Sequence, residues 1–87
     1  MRTSHKLLLR LWYDPEFDFS RVRITYVNRG APHDLSDAWG EAIAKLDSQY
    51  IEIYSGGYER VTCIPYHRIR KIEYDNVVMW EYGILDI

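Results

Sequence analysis

The clearest pattern in the chain is the alternation at residues 21–28, where Val22, Ile24 and Tyr26 fall on one side and Arg21, Arg23 and Thr25 on the other. A period of two marks a strand with one face on a core. Upstream, Leu7, Leu8, Leu11 and Trp12 recur at the i, i+1, i+4, i+5 spacing of one helical face. That spacing predicts a helix running from a Ser4 cap to about Trp12. Asp14-Pro15 stops it, because the residue before a proline is pushed out of the α region. Phe17 and Phe19 are expected to anchor the connection on the core. Residues 28–34, punctuated by Gly30 and Pro32, read as a loop. Residues 35–39 are ambiguous. Residues 41–46 are expected to form a short second helix with Ala42, Ile43 and Leu46 inward.

Residues 50–54 and 58–64 read as a hairpin closed by Gly56-Gly57. Pro65 has no N–H to donate, so pairing should end there or reach a sheet edge. Ile69 and Ile72 are three positions apart, and a turn or bulge near residues 67–70 would bring both to one face. Residues 70–74 and 77–81 form a last hairpin across Asp75-Asn76. Trp12 is expected in the core, as is Trp80, which should share a strand face with Val78. The fold class is α+β: an antiparallel sheet of about five strands, an N-terminal helix and a short second helix, in one domain over residues 1–87.

Composition makes so small a core feasible, because three Trp, eight Tyr and two Phe supply large side chains to bury. An apolar fraction of 47% with 28% charged residues argues against disorder. Cys63 is the only cysteine, which excludes an intrachain disulfide and a site of several thiolates and points to a reducing compartment. The apolar run Leu7-Leu8-Leu9 is broken by Arg10 and is too short for a signal peptide or a membrane span, so the expected location is the cytoplasm. The formal net charge is −2, yet its distribution is uneven. Residues 19–33 and 60–72 together hold seven basic residues and no acid, while the rest of the chain holds four basic residues and all thirteen acids. Brought together, the two segments would make one positive face on an acidic protein.

Enzyme motifs are missing. Gly56-Gly57 lacks the G-x-x-x-x-G-K-S/T spacing of a phosphate loop, and no G-x-S-x-G elbow is present. His5, His33 and His67 are not at the i, i+4 spacing of helical metal ligands, so no metal, cofactor or catalytic residue is assigned. Two clusters remain, residues 28–34 and residues 64–69, each with a histidine near an arginine in a loop or turn. Arginine binds phosphate bidentately, and histidine donates a hydrogen bond or changes charge near neutrality. Taken singly, His67 could equally bond a backbone carbonyl and Arg68 could be a solvated strand-end charge. Taken together, the clusters favour function, because loops on a rigid scaffold are where binding groups concentrate.

The strings Phe17-Asp18-Phe19-Ser20, Arg29-Gly30-Ala31-Pro32, Ile64-Pro65-Tyr66-His67-Arg68-Ile69, Ile72-Glu73-Tyr74 and Val78-Met79-Trp80 occur in order over about residues 5–82. In this the chain resembles the small RNA cyclic-group-end recognition domain family, typified by stand-alone archaeal proteins. It departs from the pattern at Glu81-Tyr82, where a basic residue is more usual, and in a longer hairpin through residues 56–62.

The resemblance implies an RNA-binding module for RNA ends or exposed phosphates, including 2′,3′-cyclic phosphate termini, in RNA processing or repair. In that reading Arg29, His67 and Arg68 contact the phosphate, with Gly30 shaping the loop and His33 at the rim. Tyr66 offers a face for the last base, and Arg21, Arg23, Arg70 and Lys71 are secondary basic contacts. Arg29 and Arg68 should then share one exposed face. The partner is single-stranded or terminal RNA, with no membrane involved. One rival is a phosphodiesterase on the same ends, with His67 and His33 as general acid and base, which requires both imidazoles within reach of the substrate. The other is a protein-interaction subunit of an RNA-processing or translation complex, in which the aromatic excess is interface.

Overall fold

The computed structural model describes residues 2–55 and 59–83. One helix, α1 (Thr3–Tyr13), precedes seven strands: β1 (Val22–Val27), β2 (Leu35–Trp39), β3 (Ile43–Leu46), β4 (Tyr50–Ser55), β5 (Arg60–Pro65), β6 (Ile69–Tyr74) and β7 (Val77–Glu81). All pairings are antiparallel. They build a four-stranded sheet of order β2-β1-β6-β7 and a three-stranded sheet of order β3-β4-β5, rather than one sheet of about five strands. Buried side chains from α1 and both sheets form one core, with Leu8, Leu11, Val22, Ile24, Ile51 and Ile72 fully enclosed.

Helix α1 ends at Asp14 as the following proline requires, but it begins two residues earlier than the Ser4 cap implied. Arg2 occupies the cap position without a side-chain hydrogen bond, and Ser4 and His5 are buried in the first turn. The buried stripe is therefore Ser4, His5, Leu8 and Leu11. Trp12 lies at its margin, 36% exposed, with its ring edge-on to Phe19 at 4.8 Å, so it is not a core residue. Phe17 and Phe19 pack on the core as expected.

Three bulges govern which residues point inward. Opposite Thr25 and Tyr26, β6 contributes Lys71 and then Ile69, which leaves Arg70 over and turns both Ile69 and Ile72 to the core. In β3, Ile43 faces Ile53 and Lys45 faces Glu52, so Ala44 is the extra residue and Ile43 and Leu46 come to the same side. That three-residue spacing imitated a helix. Residues 41–46 are in fact a 3₁₀ turn (Gly40–Ala42) followed by a strand. In β7, Trp80 faces Ile72 and Val78 faces Glu73, so Met79 is extra, Trp80 is buried and Val78 lies on the outer, exposed side.

The remaining connections follow from backbone chemistry. Pro65 is the last residue of β5, and the chain then makes a 3₁₀ turn, Tyr66–Arg68, before entering β6. Asp75 and Asn76 both have positive φ, 52° and 68°, the backbone of a two-residue hairpin turn that these residue types tolerate. The Gly56-Gly57 turn lies outside the described residues, but β4 and β5 do pair in the register a hairpin demands.

Candidate functional site

Strand β1 runs into residues 28–34, and its antiparallel neighbour β6 starts just after the Tyr66–Arg68 turn. The two clusters therefore meet at one end of the four-stranded sheet, and Arg29 and Arg68 are both exposed there. The first loop is closed by Asn28 N–H donating to the Asp34 carbonyl at 2.8 Å and by Asn28 Nδ2 donating to Ser36 Oγ at 2.9 Å. Gly30 (φ 97°) gives it a left-handed bend, and its N–H donates to Asp34 Oδ1 at 3.1 Å. The end of β7 joins this edge through Tyr82 N–H, which donates to the Arg70 carbonyl at 2.9 Å.

A cavity of about 600 Å³ opens between the start of α1 and the Tyr66–Arg68 turn, lined by Arg2, His5, Ser48, Gln49, Tyr66 and His67. Its floor is an aromatic pair, His5 stacked on Tyr66 with centroids 4.0 Å apart and planes 18° from parallel. The Tyr66 hydroxyl donates to the Asp47 carbonyl at 2.6 Å. Burial, and then the Asp47 charge, push the Tyr66 phenol up to about 12. Burial, and then the nearby N-terminal amine, hold the His5 imidazole below its ordinary value. No carboxylate is among the lining side chains. Asp47, whose charge acts on Tyr66, is engaged by the Ser48 N–H at 2.6 Å and by Lys45 Nζ at 3.4 Å.

A second cavity, of about 440 Å³, is lined by Arg29, His33 and Arg70 with Asp34, Glu81 and Tyr82. The Arg70 guanidinium lies over the Tyr82 ring, 4.6 Å from its centroid, and donates to the His67 carbonyl at 2.8 Å. That hydrogen bond links a residue lining the first cavity, His67, to one lining the second, Arg70.

These positions revise the residue assignments. Tyr66 is only 4% exposed and has a ring face against His5, so in this conformation it is a floor and not a platform for a base. His33 and His67 line different cavities, and it is His5 that shares one with His67. Arg68 is exposed on the turn and lines neither. The two basic segments do pack side by side as β1 and β6, but three of their seven cations have acidic partners. Arg23 pairs with Asp37, Lys71 with Glu73 at 3.5 Å, and Arg21 with Asp18 and Asp75 at 3.8 Å each. The expected positive face is thus offset in part by neighbouring acids, and of the secondary contacts only Arg70 lines one of these cavities.

Sequence reasoning missed Arg2, His5, Ser48 and Gln49. The signal for His5 was available: with Ser4 it continues the Leu8–Leu11 stripe, an unusual place for a polar pair. Among the described residues no three His, Cys, Asp or Glu side chains gather as a metal site, and Cys63 is exposed. No helix among them is long and apolar enough to cross a membrane.

The first cavity thus brings an arginine, two histidines and neutral polar groups together within a small α+β fold. The chain belongs to the MJ1316 RNA cyclic group end recognition domain family, whose model matches residues 1–81. It is 42% identical over 69 residues to a UPF0248 protein of Archaeoglobus fulgidus, covering 79% of this chain and 88% of that protein. It is 28% identical over 71 residues to a UPF0248 protein of Methanopyrus kandleri, covering 82% and 88% respectively. No solved structure matches the chain.

Proposed function

We propose that this protein is an RNA-binding module that holds a phosphate-bearing RNA end, including a 2′,3′-cyclic phosphate, in the cavity floored by Tyr66. The observation that carries the reading is the lining itself: Arg2, His5, Ser48, Gln49 and His67 bring donors together with no carboxylate between them. A cyclic phosphate presents two non-bridging oxygens in a plane that a guanidinium meets bidentately. His67 supplies a further donor, and the Ser48 and Gln49 side chains suit the ribose. The first turn of α1, which has no side-chain cap, adds the positive end of its dipole on the Arg2 side. A volume near 600 Å³ lies within the range of small-ligand sites and admits a terminal nucleotide. The family description names recognition of a cyclic group at an RNA end, which fits this chemistry. A role in RNA processing or repair follows from such ends, which arise when RNA is cleaved.

The test is fluorescence anisotropy with a short single-stranded RNA carrying either a 2′,3′-cyclic phosphate or a 2′,3′-diol. The cyclic end should bind at least about tenfold more tightly, the worth of one charge-assisted contact. Arg2→Ala and His67→Ala should each erode that preference. Equal affinity for the two ends in the unaltered protein would sink the proposal.

One observation favours a second reading. His5 and His67 line the same cavity, so an acid–base pair for opening the cyclic phosphate, if the protein uses one, is His5 with His67 and not His33 with His67.

A further inference from the structure

The second cavity has a different chemistry from the first. Its two arginines, Arg29 and Arg70, are offset by Asp34 and Glu81, so its pull on a phosphate is small. It offers a plane instead. Tyr82 is 55% exposed, and Arg70 lies over its ring at 4.6 Å, held in place by the His67 carbonyl at 2.8 Å. The Tyr82 backbone is fixed in turn by its N–H to the Arg70 carbonyl at 2.9 Å. An aromatic ring tied down in this way suits stacking of a base, and the Glu81 carboxylate beside it can accept from an exocyclic amino group.

We infer that the cavity formed by Arg29, His33, Arg70, Glu81 and Tyr82 is a nucleobase subsite for the residue preceding the RNA end. The inference rests on the placement of that end in the first cavity. The Arg70–His67 hydrogen bond makes the two cavities neighbours, so an RNA strand leaves the first cavity across the Tyr66–Arg68 turn and enters the second. Arg68, exposed on that turn, meets the phosphate linking the two nucleotides. The footprint is two nucleotides of single-stranded RNA. Tyr82 lies one residue beyond the stretch matched by the family model, so the stacking ring is a feature of this chain and not one the family match supplies.

Isothermal titration of the full chain with three probes tests the subsite: a nucleoside 2′,3′-cyclic phosphate, a dinucleotide with the same end, and that dinucleotide with its first base removed. The intact dinucleotide should bind about tenfold more tightly than the abasic one, as expected for one base–aromatic stack, and the abasic one more tightly than the mononucleotide, which lacks the phosphate that Arg68 meets. Tyr82→Ala should abolish the gain of the intact over the abasic probe and leave mononucleotide affinity unchanged, whereas Tyr82→Phe should retain it. Because Tyr82 is exposed beyond the last strand, neither change threatens the fold. Equal affinity for the intact and abasic dinucleotides overturns the subsite, even when a cyclic end is still preferred to a diol. A Tyr82-dependent gain that persists with no preference for the cyclic end supports the subsite and overturns the reading of the first cavity instead.

Discussion

His5 shows how a single side chain can belong to both core and site. It is 6% exposed, stacked on Tyr66, and faces the cavity together with His67. Burial and the N-terminal charge depress its pKa, so the folded state prefers the neutral ring. The sign of the linkage follows. Above the ordinary histidine value, about 6.5, neither folded nor unfolded His5 carries a proton, and it adds no pH dependence. As pH falls through that value the unfolded chain takes up the proton first, so stability drops between there and the depressed folded value. Denaturant midpoints should be flat in this respect above about pH 6.5 and fall below it, and His5→Gln should remove that part of the slope. Proton NMR should find His5 titrating below a free histidine; titration at or above the free value would contradict the burial argument. The sequence drew attention to His33 and His67 because each has an arginine nearby. What ties His5 to His67 is the docking of α1 on the Tyr66–Arg68 turn, a contact across some sixty positions that no local pattern encodes.

At the level of elements, the alternation of β1, the stop at Asp14, the break after Pro65 and the Asp75-Asn76 turn were all legible, because each rests on backbone chemistry within a few residues. Ile43 with Leu46 and Val78 with Trp80 were misread for a shared reason: a bulge shifts the inward phase of a strand by one residue, and apolar positions alone do not reveal it. The helix wrongly expected at residues 41–46 also hid the part played by Gly40. There the chain passes from β2 of one sheet to β3 of the other, and the 3₁₀ turn Gly40–Ala42 lies against the turn Phe19–Arg21. A Cβ on Gly40 would stand 1.7 Å from the Phe19 carbonyl oxygen and 2.7 Å from its carbon. Those are backbone atoms and cannot swing aside as a side-chain tip would, so one turn must move. Gly40→Ala should cost about 1–3 kcal/mol or more and lower the melting temperature by roughly 4–8 °C for each kcal/mol. A melting temperature unchanged by Gly40→Ala would mean that the two turns do not need to touch.

For the molecule as a whole, charge decides what kind of RNA contact is available. The net charge is −2, and Arg21, Arg23 and Lys71, on or beside β1 and β6, are tied to Asp18, Asp37, Glu73 and Asp75. In the proposed mode the contacts are the RNA end and the linkage beside Arg68, so affinity comes from a compact site that neutralises one or two phosphates. Single strands release about 0.7 counterion per phosphate, so log K against log salt should have a slope of only about −0.7 to −1.4. A steeper slope, near −3 or beyond, would indicate a long backbone track and a different surface. The same geometry bears on turnover. Opening a cyclic phosphate needs one imidazole to take a proton from water and a second to return one to the departing ribose oxygen. His67 is exposed, but the His5 ring is pressed against Tyr66 and almost wholly withdrawn from solvent, a poor position from which to activate water. End-labelled cyclic-phosphate RNA incubated with the protein should therefore be bound and recovered unchanged, and His67→Ala should weaken binding alone. A monophosphate product that accumulates with time, and is lost in both His5→Gln and His67→Ala while binding persists, would make the shared cavity an active site and the protein a phosphodiesterase.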